Sequence, residues 1–322
     1  MLNERVMQIA DKAVAGEAPS RGDVMHLLKF DAYSVEAAYV CARARELGMR
    51  ACKGRGYVYG QIGVDSTPCS KNCRFCAFAA VNTHRSSFDA DEMEVPIGRI
   101  VHFAKLYDDA GVPLVSLMAT AQLDFERYLE MVCAVRASVS DEMTIMANTG
   151  DITRDQAQAL KEAGATAAYH ALRLGEGELT DIKPVERWRT VRVLREAGIP
   201  LMTGVEPIWA GIDRLELSER ICDIPEFHPF GMGACNLTKV KGANLGGRRP
   251  ALTGFVRYVA AITRLVCGEA VPIGGIGGVR WVDAGCDPRK REYGSSDDHL
   301  RRQIERAKRD LQLDGFTIGE AV

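Results

Sequence analysis

No apolar run long enough to cross a bilayer occurs in these 322 residues, and the opening Met1-Leu-Asn-Glu-Arg-Val6 is polar. Neither a transmembrane helix nor a signal peptide is expected. A surplus of one charge is missing too. The 41 Lys and Arg nearly cancel the 43 Asp and Glu, for a net charge of −2. That leaves no electrostatic footprint for nucleic acid or an acidic membrane. There is no linker, no low-complexity segment and no long internal repeat. What is present is ordinary globular material, 47% hydrophobic and 26% charged. Ten cysteines without a secretion signal predict a reducing, cytoplasmic setting.

Three of those cysteines are spaced C-x3-C-x2-C, at Cys69, Cys73 and Cys76, within Asp65-Ser-Thr-Pro-Cys-Ser-Lys-Asn-Cys-Arg-Phe-Cys76. A loop of that spacing can wrap three thiolates around one face of an iron–sulfur cube. The fourth iron then lacks a protein ligand and is open to a cofactor. No fourth cysteine is near: Cys52 and Cys133 come next on either side. Closed structural sites usually take four ligands. A structural zinc or a chance cluster is the competing reading. Phe75, just before the third cysteine, can shield such a site from water.

The lead-in, residues 1–50, reads as helices. Ser20 and Asp23 open one, and a second runs from about Ser34 through Leu47. Tyr57–Val64 then reads as a strand feeding the cysteine loop. Strand and helix alternate from there, which is the signature of parallel βα units. Strands are expected at Pro113–Met118, Met143–Ala147, Thr166–Leu172, Pro200–Val205, His228–Ala234 and Ala270–Gly274. Helices are expected at Pro96–Ala110, Phe125–Ser138, Thr153–Ala163, Val185–Ala197, Leu215–Ile221, Leu252–Val266 and Ser296–Leu311. Seven strands, with an eighth hidden in the C-terminal part, predict a (β/α)8 TIM-type barrel, full or partial, with an N-terminal helical lead-in. The expected organisation is a single domain over residues 1–322: lead-in 1–50, barrel 51–295, C-terminal helix and tail 296–322. The cysteine loop follows the first strand, so it falls on the face where barrel active sites lie.

The cysteine loop, with an aromatic before its third cysteine, resembles the cluster loop of the radical S-adenosylmethionine (SAM) enzymes. Ser20-Arg-Gly-Asp-Val-Met-His-Leu-Leu28, Asp155–Gly164 and Lys239-Val-Lys-Gly-Ala-Asn-Leu245 resemble stretches of the biotin synthase group within that superfamily. The resemblance implies a [4Fe–4S] cluster on Cys69, Cys73 and Cys76, and SAM as its partner. It also implies a 5′-deoxyadenosyl radical, a small-molecule substrate and an external electron donor of flavodoxin or ferredoxin type. Where biotin synthase has the cysteines of its second, sulfur-donating cluster, this chain has Leu117, Met146 and Met202. Two polar substrate and ribose contacts of that enzyme fall on Ala171 and Arg173. An ordinary biotin synthase is therefore not expected. The logic is closer to relatives without that cluster, 3-methylornithine synthase and the hydrogenase-cofactor maturases. The expected reaction is hydrogen abstraction from a small molecule in cofactor or amino-acid biosynthesis. One alternative is sulfur insertion with an auxiliary cluster drawn from Cys222, Cys235, Cys267 or Cys286. Another, of a different class, is a non-catalytic iron–sulfur scaffold.

Other candidates lie at the strand ends. Many members of the superfamily meet the SAM amino group with Gly-Gly-Glu after the second strand. Here that stretch is Met118-Ala-Thr-Ala-Gln122, leaving only backbone or Thr120 for the contact. Asn148 ends the third strand and can hydrogen-bond SAM or substrate. Asp151 and Thr153 are expected as helix caps. His170 reads first as a hydrogen-bonded core histidine and second as a base. Arg173 can grip a SAM or substrate carboxylate, or form a surface salt bridge. Glu206 lies among apolar residues, where a carboxylate needs a partner, and is expected to bind a cationic group, the SAM or substrate amine. His228 and Cys235 follow on the sixth strand. The glycine run Gly274–Gly278 lets backbone approach a ligand but is not a dinucleotide fingerprint.

Overall fold

Local chemistry sets the first helices. In α1 (Glu4–Val14), Asn3 accepts the Val6 amide. In α2 (Arg21–Leu27), Ser20 and Asp23 form a reciprocal capping box, as their spacing predicts. Helix α3 runs from Val35 to Ala51, one turn past the expected stop, because Gly48 stays helical and the chain turns at Lys53 and Gly54 instead. The computed structural model describes residues 1–82, 93–268, 278–285 and 296–318.

From there β1 (Arg55–Gly63) leads through the cysteine loop to α4 (Ile97–Asp109). The series continues with β2 (Leu114–Met118), α5 (Phe125–Arg136), β3 (Thr144–Asn148), α6 (Arg154–Glu162) and β4 (Ala167–Tyr169). Next come α7 (Pro184–Glu196), β5 (Leu201–Ile208), α8 (Arg214–Asp223), β6 (Gly231–Asn236) and α9 (Thr253–Cys267). The chain closes with β7 (Val279–Gly285), α10 (Asp297–Leu313) and the two-residue β8 (Thr317–Ile318). All strand pairs are parallel, in the order β6-β5-β4-β3-β2-β1-β7, and β8 joins the start of β1. The seven-stranded sheet is a partial TIM-type barrel flanked by helices. Among the described residues β6 and β7 are not paired. The expected strand Ala270–Gly274, the glycine run up to Gly277 and Cys286 lie outside the described residues.

Register explains which side chains meet. Gly63, Met118 and Asn148 align across β1, β2 and β3 at their C-terminal ends. Alternate residues therefore share a face. Tyr59, Leu114, Met146 and Met202 pack on the concave side with Tyr169. Val58, Ile62, Val115 and Ile145 face the other way, against Phe103, Tyr107 and Tyr128 of the helix layer. Each such large apolar side chain contributes roughly 1.5–3 kcal/mol by leaving water. The lead-in helices pack with α8, α9 and the apolar residues of β5 and β6 in a second cluster.

Two strand expectations change. His228 does not lie on β6: it sits in a left-handed turn (φ 45°), exposed, three residues before the strand starts at Gly231. Strand β4 stops at Tyr169 rather than Leu172. That early stop lets both His170 and Arg173 turn toward the same cavity, which a continuous strand would forbid.

Candidate active site

The cysteine loop is shaped by its own backbone. Asn72 adopts φ 48°, a conformation asparagine tolerates better than most residues, and turns the chain between Cys69 and Cys73. Its amide donates to the Cys69 carbonyl. Its side-chain oxygen accepts from Val81 at 3.1 Å, and its amide nitrogen donates to Asp181 at 2.7 Å. Phe75 packs in the apolar cluster that holds Leu174, Leu179 and Trp209. All three thiols are free and half-buried.

Cys69, Cys73 and Cys76 line one cavity of about 250 Å³, together with Thr120, Asn148, His170, Arg173 and Arg187. Burial pushes the Cys73 thiol up to about 11 against the pull of the Arg173 charge, and raises Cys76 as well. The Phe78 amide donates to Cys76 sulfur at 3.4 Å, a contact that favours a thiolate. Among the described residues no three His, Cys, Asp or Glu converge on a single metal position. A mononuclear tetrahedral zinc needs such convergence. Three thiols lining one cavity suit a body with several metal atoms.

Thr120 reaches the cavity wall but its hydroxyl is engaged. It donates to Asp65 Oδ2 at 2.8 Å, while the Thr120 amide donates to Asp65 Oδ1 at 2.6 Å. Asp65 is 1% exposed and also accepts the Thr67 amide. One carboxylate thus ties the end of β2 to the start of the cysteine loop. Asn148, at the end of the neighbouring strand, also lines the cavity; its backbone amide is held by the Tyr128 hydroxyl at 3.1 Å. Its side-chain amide has no partner among the described residues.

Arg173 and Glu206, each expected to meet a ligand, meet each other at 3.3 Å with side chains only 21% and 17% exposed. Burial alone would lower the Arg173 guanidinium; the Glu206 carboxylate outweighs it and keeps the charge. The Tyr169 hydroxyl and the Cys235 thiol face the same carboxylate, and both are pushed upward, first by burial and then by that charge.

Behind Arg173 lies a charged cluster that the strand-end reading did not find. Glu176, with its side chain 1% exposed, accepts the Arg173 amide at 3.0 Å and the Arg187 guanidinium at 3.2 Å. Arg187 also reaches Asp151 at 3.3 Å, and His170 contacts the same Asp151 oxygen at 3.2 Å. Asp151 is therefore a member of this cluster, not a cap; Thr153 alone caps α6, in a box with Gln156. Burial would raise Asp151, but the hydrogen bond to His170 and the charge of Arg187 hold it down to about 2. Burial lowers His170 to about 4. The ring is thus neutral near pH 7 and hydrogen-bonded, as a core histidine should be. One signal pointed to Arg187: it stands four and seven residues before Val191 and Leu194, on the apolar stripe of α7.

Among the described residues the remaining cysteines form no three-thiol group. Cys222 and Cys267 belong to the apolar cluster under the helices, and Cys235 faces Glu206.

A three-cysteine loop after the first strand of a parallel partial barrel is the arrangement of a radical SAM enzyme. The model of the radical SAM superfamily matches residues 65–209, from Asp65 to the residue after β5. A biotin synthase of Cyanothece sp. (strain PCC 7425 / ATCC 29141) is 26% identical over 285 residues, 82% of this chain and 73% of that protein. Across such matches the chain spans between about half and three quarters of the length of the biotin synthases. HydG, the FeFe-hydrogenase maturase from Carboxydothermus hydrogenoformans, shares the fold with a TM-score of 0.78 at 17% identity, over 99% of this chain and 80% of that one. Methylornithine synthase (PylB) shares it with a TM-score of 0.73 at 15% identity, over 97% of each chain. Residues 65–209 carry the radical SAM match, and the likeness to biotin synthases extends over most of the chain. That likeness is to a radical SAM enzyme of the biotin synthase-like group. The family matched over residues 65–209 is one that uses a [4Fe–4S] cluster, SAM, a small-molecule substrate and an external electron donor.

Proposed function

We propose that Cys69, Cys73 and Cys76 hold a [4Fe–4S] cluster, and that the enzyme abstracts hydrogen from a small molecule in cofactor or amino-acid biosynthesis. The observation behind this reading is the shared cavity, with three free thiols facing Asn148 and Arg173. When bound, the cluster and SAM supply a one-electron cleavage that gives methionine and a 5′-deoxyadenosyl radical. The chain's own groups do the positioning. Asp65 fixes the cysteine loop against Thr120, so Thr120 orients that wall rather than donating to a ligand. Asn148 offers a free amide to SAM or substrate. Arg173 presents a charge for a carboxylate, and Glu206 balances that charge or accepts an amine. Together they suit an amino-acid-like ligand. His170, neutral and buried, braces Asp151 and moves no proton near pH 7.

Among the described residues Cys235 faces Glu206 while Cys222 and Cys267 sit in the apolar cluster, an arrangement that supports hydrogen abstraction over sulfur insertion. Anaerobic reconstitution should give about four irons and four sulfides per chain, where a second cluster would give about eight. With dithionite and SAM the chain should form 5′-deoxyadenosine. Cys73→Ala should abolish it, and retention of activity in that variant would sink the reading.

A further inference from the structure

Cys235 stands near the end of β6, on the face that carries Gly231 and Gly233. Those glycines pair with Met202 and Gly204 of β5, so this face is the concave one. The strand is bare there: among the described residues, a Cβ added at Gly233 would meet nothing within 4 Å. Cys235 itself is exposed, yet burial still raises its thiol. The sulfur therefore opens onto the hollow of the partial barrel and not onto bulk water. A cysteine in a sheet is usually only a small hydrophobe, so its neighbours decide the matter.

Those neighbours are polar and lead back to the cavity. Cys235 and Tyr169 face the Glu206 carboxylate, and Glu206 holds Arg173 at 3.3 Å. Tyr169 and Arg173 in turn line the cavity of the three loop thiols. The Arg173 charge acts on Cys73 on one side and on Cys235 on the other. Backbone bonds fix this arrangement. Arg74 donates its amide to the Leu179 carbonyl at 2.9 Å, and Asp181 donates to the Lys71 carbonyl at 2.8 Å. The loop after β4, which carries Arg173, is thereby stitched to the cysteine loop. Near pH 7 the Cys235 thiol keeps its hydrogen, held there by burial and by the carboxylate beside it. A thiolate would be a nucleophile; an intact S–H bond, weaker than an aliphatic C–H bond, can yield a hydrogen atom to carbon.

The geometry points to Cys235 as the hydrogen-atom donor to carbon radicals formed beside Arg173. This role deepens the hydrogen-abstraction reading proposed above and rests on it. The substrate radical left by abstraction, once rearranged, takes one hydrogen atom from sulfur. The S–H bond breaks, a C–H bond forms, and Cys235 becomes a thiyl radical. The external one-electron donor returns one electron and water returns one proton, which restores the thiol. SAM is then a co-substrate and is not regenerated. Each turnover converts SAM, substrate, two electrons and one proton into methionine, 5′-deoxyadenosine and product. Glu206 is a positioning residue that keeps the sulfur protonated.

SAM alone serves as the probe. The reconstituted full chain receives SAM and dithionite in D2O, with no substrate and no added thiol, and 5′-deoxyadenosine is weighed by mass spectrometry. The 5′-deoxyadenosyl radical should then take deuterium from the exchanged Cys235 thiol, so that most of the wild-type 5′-deoxyadenosine carries a single deuterium. Cys235→Ser keeps a donor beside Glu206, but its O–H bond is too strong to yield a hydrogen atom, and the deuterated fraction should fall at least about tenfold with iron content unchanged. The chain without iron gives a second readout. Glu206→Gln should speed alkylation of Cys235 by iodoacetamide near pH 7 at least about threefold, mapped by peptide mass, because the charge that favours the thiol is gone. Equal deuterium in wild type and Cys235→Ser, or none in either, would overturn the donor. An unchanged alkylation rate in Glu206→Gln would overturn the part given to Glu206. Failure of the wild type to form any 5′-deoxyadenosine would instead overturn the cluster reading.

Discussion

His170 is free to take a proton in the unfolded chain below about pH 6.5, but in place it resists until about pH 4. Acid therefore protonates the unfolded state first. Stability is full above about pH 6.5 and falls by on the order of 3 kcal/mol as the pH drops toward 4. Asp151, held to about 2, is a second such group: its stabilisation is present above about pH 4 and is lost as the pH falls toward 2. Urea midpoints at neutral pH and about pH 4.5 should show the first loss in the wild type and a smaller one in His170→Gln. A slope unchanged by the substitution would assign the loss elsewhere. The three cysteines were legible in the sequence because ligand spacing is a local property. Thr120, Asn148, Arg173 and Glu206 were legible as strand ends. Their pairing was not, because the Arg173–Glu206 contact depends on β4 and β5 lying side by side. Asp65 stood in plain view before the cysteines, but its role needs Thr120 brought from 55 residues away.

At the scale of elements, caps and close approaches set what can change. Thr153 accepts the Gln156 amide while Gln156 reaches back, so Thr153→Ala should lower stability by about 1 kcal/mol in chemical denaturation. Gly285 is a harsher case. It pairs with Gly63 across β7 and β1 at φ +74°, and a Cβ there would stand 2.4 Å from the Gly63 carbonyl oxygen. Gly285→Ala should therefore destabilise the chain well beyond the glycine-to-alanine propensity difference of about 1 kcal/mol, and shift the end of β1 that leads to Asp65. Circular dichroism melts would check the first effect, and iron uptake the second. Helix positions were readable to within a turn because apolar periodicity and caps are local. The β4 boundary was not, since Tyr169-His-Ala-Leu172 looks like continuing strand, while His170 turns to Asp151 and the Arg173 amide to Glu176.

For the whole molecule, the partial barrel divides labour between its faces. Apolar packing on the helix side is continuous and contains Cys222 and Cys267 only as small hydrophobes. The concave side and its mouth hold the cavity and the Arg173–Glu206 pair. Parallel alternation of strand and helix was evident in the chain order. Because Arg74 and Asp181 each give their amide across the seam between the cysteine loop and the loop after β4, whatever orders one loop must slow solvent access in the other. Deuterium uptake at those two amides is thus a clock for metal loading: it should slow on reconstitution, with no substrate present and no turnover required.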